Sequence, residues 1–362
     1  MRDPWVDASH VLAVRLDSLG DVLMTSPAIR ALKRSRDGRR VTLLASPVGA
    51  AAGRLIPEID EILVYEAPWM KATPPRSGAG ADLAMIERLR EARVDGAVIF
   101  TVYSQSPLPA ALLCYLAGIP RRLAHCRENP YQLLTEHVPE TEPARGIRHE
   151  VRRQLDLVAA VGARPADERL SLRVPATARA RAHRALQAAG VPPGRRWVVV
   201  HPGASAPARR YPPEQFTAAA RGLIRRLGVA VVLTGSASER DLVRAIAREA
   251  GPGAYPLAGR LDLPALAALL EMAPLLVANN TGPVHVAAAV GTPVVDLYAL
   301  TNPQHTPWAV AHRVLSYDVP CRYCYRSVCP EGHHACLRQV APEAVVDAAR
   351  ELLEATARRA AE

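Results

Sequence analysis

Aromatic residues are scarce in this chain of 362 residues, at 4%, with two phenylalanines among them. Packing therefore falls to Ala, Val and Leu, and a hydrophobic share of 49% leaves material for two cores. No apolar run reaches the roughly 18 to 20 residues that span a bilayer. The opening stretch Met1-Arg2-Asp3-Pro4-Trp5-Val6-Asp7 is too polar for a signal peptide. The expectation is a cytosolic protein, touching the inner membrane face peripherally at most. No basic stripe interleaved with aromatics is present, which argues against nucleic acid as a partner. No G-x-G-x-x-G follows a strand, which disfavours a dinucleotide dehydrogenase.

What is present is positive charge, +10 net with an isoelectric point near 9.7. Such a balance favours anionic partners: nucleotides, phosphorylated lipids or a membrane surface. The charge is spread, and the arginine-rich pieces at 34–40, 179–184 and 358–359 read as solvated helix faces. Four of the six cysteines, Cys321, Cys324, Cys329 and Cys336, cluster near the C-terminus, with His333 and His334 between the last two. In a cytosolic chain such a cluster suggests metal before disulfides, and four thiolates hold zinc tetrahedrally. Reduced thiols or disulfides are the alternatives. Cys114 and Cys126 read as ordinary residues.

Strand and helix signals alternate along both halves. Val11-Leu12-Ala13-Val14-Arg15-Leu16 is a strand, followed by the loop Asp17-Ser18-Leu19-Gly20-Asp21 and a helix through about Lys33. Further strands fall at 41–45, 61–65 and 96–100, with helices at 82–92 and 107–117. The Pro-, Gly- and Ala-rich stretch 66–80 is expected to be a mobile loop, and 147–161 a helix closing the first domain. Residues 162–175 read as a linker. The second half repeats the alternation with strands at 197–200 and 229–233, the helix 213–227, and a helix capped by Asp262 with Pro264 in its first turn. Alternation of this kind means parallel βαβ units with right-handed crossovers. Ligands in such sheets bind beyond the carboxyl ends of the strands. Those ends carry Asp21, residues 201–205, 235–239 and 279–285.

The segment Ala278-Asn279-Asn280-Thr281-Gly282-Pro283-Val284-His285 is the richest in signals. It ends a buried strand, turns, and enters a helix that Asn280 or Thr281 caps and Pro283 suits. Gly291 ends the helix and Pro293 opens the next strand. The turn offers backbone N–H groups at a helix N-terminus beside a glycine, an arrangement suited to a diphosphate. His285 lies one turn inside. The same residues also describe an ordinary well-capped helix.

The chain resembles glycosyltransferase family nine, the ADP-heptose–lipopolysaccharide heptosyltransferases, over nearly its whole length. The carriers are Val14-Arg15-Leu16-Asp17-Ser18-Leu19-Gly20-Asp21-Val22, Thr25-Ser26-Pro27-Ala28-Ile29-Arg30-Ala31-Leu32, His201-Pro202-Gly203-Ala204-Ser205, Arg209-Arg210-Tyr211-Pro212, Gly235-Ser236-Ala237-Ser238-Glu239 and Asn280-Thr281-Gly282-Pro283-Val284-His285. The resemblance implies an α/β GT-B fold of two Rossmann-like doubly wound domains facing across a cleft. The domains would span 1–165, for the acceptor, and 176–340, for the nucleotide-sugar donor, with a Cys-rich segment at 321–336 and a C-terminal helix at 341–362. It further implies inverting transfer of heptose from ADP-heptose to a lipid-linked or phosphorylated saccharide of lipopolysaccharide inner-core type, with no metal required for catalysis.

The resemblance makes Asp21 the general base that takes the proton from the acceptor hydroxyl. Read without it, Asp21 is a helix cap. The two roles pull apart, because a carboxylate at the positive helix end is held acidic whereas a base works best near the working pH. Arg209 stands where the family usually has a lysine and would neutralise donor phosphate, bidentately where lysine cannot. Its alternative is a solvated loop position. Gly203 and Ser205 would offer N–H and hydroxyl groups to the same phosphates. Glu239 would bind the ribose, with Ser236 as its alternative; without the resemblance it complements a helix dipole. Thr281 and Gly282 would bind the pyrophosphate. Many relatives carry aspartate where Asn280 stands, and an amide keeps one acceptor while adding two donors.

Three other readings remain beside this one: a same-fold transferase using another nucleotide sugar and a different acceptor, a metal-binding or redox regulator with a degenerate nucleotide site, and a nucleotide-sugar epimerase. Asp21 argues against the regulator.

Overall fold

The computed structural model describes residues 5–361. Residues 1–4 of the polar opening stretch and the side chain of Arg359 lie outside the described part. The chain divides into two compact units, 1–172 and 173–362.

The first unit runs β1 (His10–Arg15), α1 (Leu19–Arg34), β2 (Arg40–Ala45), α2 (Pro47–Gly53), β3 (Glu61–Val64), α3 (Gly80–Ala92), β4 (Gly96–Ile99), α4 (Leu108–Leu116), β5 (Arg122–Cys126), β6 (Glu136–Pro139) and α5 (Glu150–Ala159). Its six strands pair in parallel in the order β3-β2-β1-β4-β5-β6. The order reverses between β1 and β4, where an open sheet leaves a crevice at its carboxyl edge. The core on one face joins Leu12, Val14, Leu44 and Ile99 to Cys114 and Cys126. Both thiols are buried, and burial pushes that of Cys114 up to about 12.

Helix α1 begins at Leu19, inside the stretch expected to be loop. Ser18 is its N-cap, and Ser18 and Asp21 form a capping box. Pro27 has no N–H for the Leu23 carbonyl, and the Ser26 hydroxyl donates to that carbonyl instead at 2.6 Å. The first unit extends to Leu172, and Arg30 of α1 reaches the residues just before that end. This buried guanidinium donates to the Asp167 carbonyl at 2.7 Å, to the Arg169 carbonyl, and to the Ser171 hydroxyl at 2.5 Å. Three residues of the stretch read as a linker, Asp167, Arg169 and Ser171, are thus bonded to α1.

The second unit runs α6 (Ala176–Ala188), β7 (Trp197–His201), α7 (Pro213–Leu227), β8 (Ala230–Leu233), α8 (Arg240–Ala250), β9 (Ala254–Pro256), α9 (Leu263–Met272), β10 (Leu276–Asn279), α10 (Gly282–Val290), β11 (Val294–Leu297), β12 (His312–Leu315), α11 (Ala335–Arg338) and α12 (Pro342–Ala361). Its parallel sheet has the order β12-β11-β10-β7-β8-β9 and reverses between β7 and β10. The C-terminal helix α12 belongs to this unit: Val345, Val346, Ala349 and Leu352 share a core with Phe216 and Leu223 of α7.

Candidate functional site

Two groups of side chains collect at the carboxyl edges of the sheets, one in each unit. In the first, β1 ends on Arg15, which has no exposed surface. Its guanidinium meets three carboxylates: Asp17 Oδ2 at 3.0 Å, Asp21 Oδ1 at 3.2 Å and Glu150 Oε1 at 2.8 Å. Three acids share one buried cation, and not all can be comfortably ionised. Burial pushes the Asp17 carboxyl up to about 6, against the pull of Arg15 and with the help of the Asp21 charge. Gln105 Nε2 donates to Asp17 Oδ1 at 2.7 Å.

Asp21 receives the Ser18 N–H at 3.0 Å and the Ser18 hydroxyl at 2.6 Å on Oδ2. It sits in the first turn of α1 rather than at the cap itself. Asp21 is thus both a first-turn residue of α1 and part of a cavity wall. Asp17 and Asp21 both line a cavity of about 840 Å³ whose walls include Tyr65, Trp69 and Phe100. Tyr65 and Trp69 meet edge to face, 5.8 Å between centroids, and the Tyr65 hydroxyl donates to Asp82 at 2.6 Å. The stretch expected to be a mobile loop supplies one wall: Met70 N–H bonds the Ala67 carbonyl and Thr73 N–H the Met70 carbonyl, both at 3.0 Å. Asp17 was not singled out from the sequence as a site residue, although its position just past the end of β1 was a signal.

In the second unit, Gly203 and Ser205 follow β7. A Cβ on Gly203 would stand 2.1 Å from Glu239 Oε1, so only glycine lets the carboxylate lie against the backbone there. Glu239 Oε2 accepts the Ser236 N–H at 2.7 Å in a second capping box. Glu239 and Gly203 are thereby brought together, with Ser236 alongside. His201 bonds Thr234 through Nδ1 at 2.9 Å, and burial pushes its ring down to about 4 despite the Glu239 charge.

Arg209 Nη2 donates to Asn302 Oδ1 at 3.3 Å. Arg210 points the other way and braces the loop after β7, donating to the carbonyls of Ala204 at 2.8 Å and Ser205 at 3.2 Å. Thr281 is the N-cap of α10, but its hydroxyl donates back to the Asn279 carbonyl at 3.2 Å. The first turn of α10, Gly282 included, therefore has no side-chain cap. His285 is buried one turn in.

Asn280 is turned into the protein. Its Nδ2 donates to Asp296 Oδ2 at 2.9 Å and to the His305 carbonyl at 2.8 Å. Asp296 is fully buried, and burial pushes its carboxyl up to about 8 against the Asn280 hydrogen bond and Arg209. The Asn280 amide nitrogen is thus taken up by a buried acid and a backbone carbonyl. Asn279, at the same strand end, joins three segments: Oδ1 accepts the Tyr211 N–H at 3.0 Å and Nδ2 donates to the Pro202 carbonyl at 2.7 Å.

Cys321, Cys324, Cys329 and Cys336 are reduced and line one small cavity with Leu300 and Ala208. Among the described residues no three or more His, Cys, Asp or Glu are grouped to hold a metal ion. The zinc site suggested by the spacing is therefore not supported, although the four thiols line the same cavity, Cys336 from α11 against the core and the other three from the loop before it. What the segment visibly does is strap loops together. Tyr323 N–H bonds the Leu300 carbonyl at 2.6 Å, Tyr325 N–H that of Thr301 at 2.8 Å, and Ala208 N–H that of Ser327 at 3.0 Å.

Among the described residues no helix is long and apolar enough to cross a membrane. The family model for glycosyltransferase family 9 (heptosyltransferase) matches residues 83–335. Lipopolysaccharide heptosyltransferase 2 of Salmonella typhimurium is 26% identical over 360 residues, covering 95% of this chain and 98% of that protein. Lipopolysaccharide heptosyltransferase 3 of Escherichia coli is 27% identical over 292 residues, covering 80% and 82%. The solved structure of the E. coli ADP-heptose lipopolysaccharide heptosyltransferase II superposes with a TM-score of 0.74 at 24% identity, covering 95% of this chain and 98% of that one.

Proposed function

Since the chain belongs to glycosyltransferase family 9, the heptosyltransferase family, and is a glycosyltransferase of GT-B fold, we propose that it transfers heptose from ADP-heptose, with inversion, to a saccharide of lipopolysaccharide inner-core type. The observation that carries this reading is the acid-lined cavity of the first unit; the second unit, taken by itself, adds a helix N-terminus with no side-chain cap.

The acceptor occupies the cavity of the first unit, its hydroxyl facing Asp21. Asp21 takes the proton as the oxygen attacks the anomeric carbon, and Arg15 holds the carboxylate in place. The donor occupies the carboxyl edge of the second sheet. The Gly282 N–H at the start of α10 receives the diphosphate, since Pro283 has no N–H and that of Val284 is bonded to the Thr281 carbonyl, with Thr281 at the cap and His285 behind it. Arg209, steadied by Asn302, stabilises the charge that builds on the leaving ADP. Gly203 and Ser205 border the same phosphates, and Glu239 accepts from the ribose. These groups supply the charge stabilisation, so the chemistry requires no metal from the four cysteines. In this reading the chain works at the cytoplasmic face of the inner membrane, where a lipid-linked acceptor is presented.

A second reading, transfer of a different sugar from another nucleotide, is favoured by Asn280, whose N–H groups are taken up by Asp296 and His305. Calorimetry with a panel of nucleoside diphosphates and nucleotide sugars separates the two. Preference for ADP and ADP-heptose supports the first. Preference for a uridine, guanosine or thymidine diphosphate sugar selects the second, and absence of binding across the panel defeats both.

A further inference from the structure

Three arginines converge on a second cavity, of about 180 Å³, at the carboxyl edge of the second sheet. Arg240 and Arg244 come from the first turns of α8, and Arg260 from the loop after β9; Pro256 and Ala258 complete the lining. Arg240 and Arg244 stand one helical turn apart, a spacing at which like charges destabilise a helix. Among the described residues none of the three guanidiniums is in an ion pair. Some surface arginines of this unit are paired, Arg179 with Glu271, Arg181 with Asp262 and Arg226 with Asp347, and others are not; these three are set apart by the one cavity they line together.

The cavity is also constructed around one of these groups. Gly259 has φ +70°, and a Cβ there would stand 2.6 Å from Arg240 Nε and 2.9 Å from its Nη2. Glycine at this position leaves room for the guanidinium beside the backbone, where Nη2 donates to the Gly259 carbonyl at 3.5 Å. The loop itself is pinned by the Gly259 N–H on the Gly235 carbonyl at 2.9 Å. An uncompensated cluster of planar, permanently charged donors around a concave space is a receptor for a compact dianion.

We propose that Arg240, Arg244 and Arg260 form a binding site for a phosphate monoester, separate from the diphosphate site at α10. The ligand carries a terminal phosphate with at least two anionic oxygens. It is either a soluble phosphorylated metabolite or the headgroup of a phosphomonoester lipid. The site stands independently of the sugar and acceptor assignments above.

The test uses the full chain with inorganic phosphate as the probe, at constant ionic strength. Thermal unfolding and calorimetry compare the wild type with Arg244→Gln/Arg260→Gln and with a control, Arg179→Gln/Arg226→Gln. The site variant loses like-charge repulsion, so without phosphate it unfolds no earlier than the wild type. With phosphate, the wild type and the control gain stability, and the site variant loses that gain with an affinity drop of about tenfold or more. A parallel arm measures co-sedimentation with phosphatidate-containing and pure phosphatidylcholine vesicles. Arginine-dependent sedimentation with phosphatidate alone assigns the ligand to a lipid headgroup. Arginine-dependent phosphate binding without sedimentation assigns it to a soluble ligand. Equal phosphate responses in wild type and site variant, with no arginine-dependent sedimentation, overturn the proposal.

Discussion

Arg15 and Asp21 face each other across 3.2 Å at the end of β1, with the arginine fully buried and the aspartate at the cavity wall. The pair fixes the direction of the carboxylate from below, while Ser18 holds it from the helix end. A group that must accept a proton at a defined point gains from such double anchoring, because little reorganisation remains when the acceptor arrives.

Removing the arginine is therefore expected to be costly. Arg15→Met leaves Asp17, Asp21 and Glu150 without their shared cation. Breaking a buried ion network from one side costs about 3 to 5 kcal/mol. Denaturant unfolding checks this, and a loss below about 1 kcal/mol would mean that water or a neighbour takes over the cation's role.

The acidity of Asp17 gives a dependence on pH with a defined sign. Its folded value, about 6, lies above the ordinary value of 3.8, chiefly through burial. Between the two the folded chain keeps a proton that the unfolded chain has released. Stability from this group is complete below about pH 3.8 and declines as the pH rises through 6. The stability difference between wild type and Asp17→Asn, followed from pH 4 to 7, should fall across that window by about 1 kcal/mol or more. A difference that rises with pH would show that Arg15, rather than burial, governs the carboxyl.

Asp296 and Asn280 make a second test. Asp296, pushed up to about 8, is largely neutral at pH 7 and is already hydrogen-bonded to an amide. Asp296→Asn keeps an acceptor for Asn280 and is expected to change stability by less than about 1.5 kcal/mol. Asn280→Asp places a second carboxyl against the first, removes the donor, and is expected to cost several kcal/mol. Thermal unfolding of both variants at pH 7 settles the order, and equal losses would contradict it.

Arg209 is expected to act on the donor and little on stability, since its hydrogen bond is to Asn302 on a loop. Arg209→Gln should weaken donor binding about tenfold or more, and Arg209→Lys should recover part of that loss through charge alone. Calorimetry with the nucleoside diphosphate reads both. Identical binding by all three would remove Arg209 from the donor site.

The parallel sheets and the strand-end position of the site residues were legible in the alternation of apolar runs and turn signals. β5 was not, because Arg122 and His125 interrupt its apolar pattern. Both are nonetheless buried: the Arg122 guanidinium donates to the carbonyls of Leu133 at 2.8 Å, Gln132 at 2.9 Å and Ile119. Helix α1 was read as starting late because its capping box falls inside a short polar run resembling a loop. The inward turn of Asn280 was hidden for another reason. Its partners Asp296 and His305 lie 16 and 25 residues on, and only the fold brings them to it. The cysteine spacing suggested metal, but spacing brings four thiols near one cavity without giving them the mutual geometry of a metal site.

The transfer assay with Asp21→Asn tests the account most directly. Wild type and variant are each given ADP-heptose and the same set of lipopolysaccharide inner-core acceptors. Product is followed by mass spectrometry and donor binding by calorimetry. The account predicts donor binding within a few-fold of wild type and transfer slower by a factor on the order of 10² to 10⁴. Transfer by the variant at close to the wild-type rate would contradict it, and would leave Asp21 as a helix-end residue with Asp17 the carboxylate to examine next.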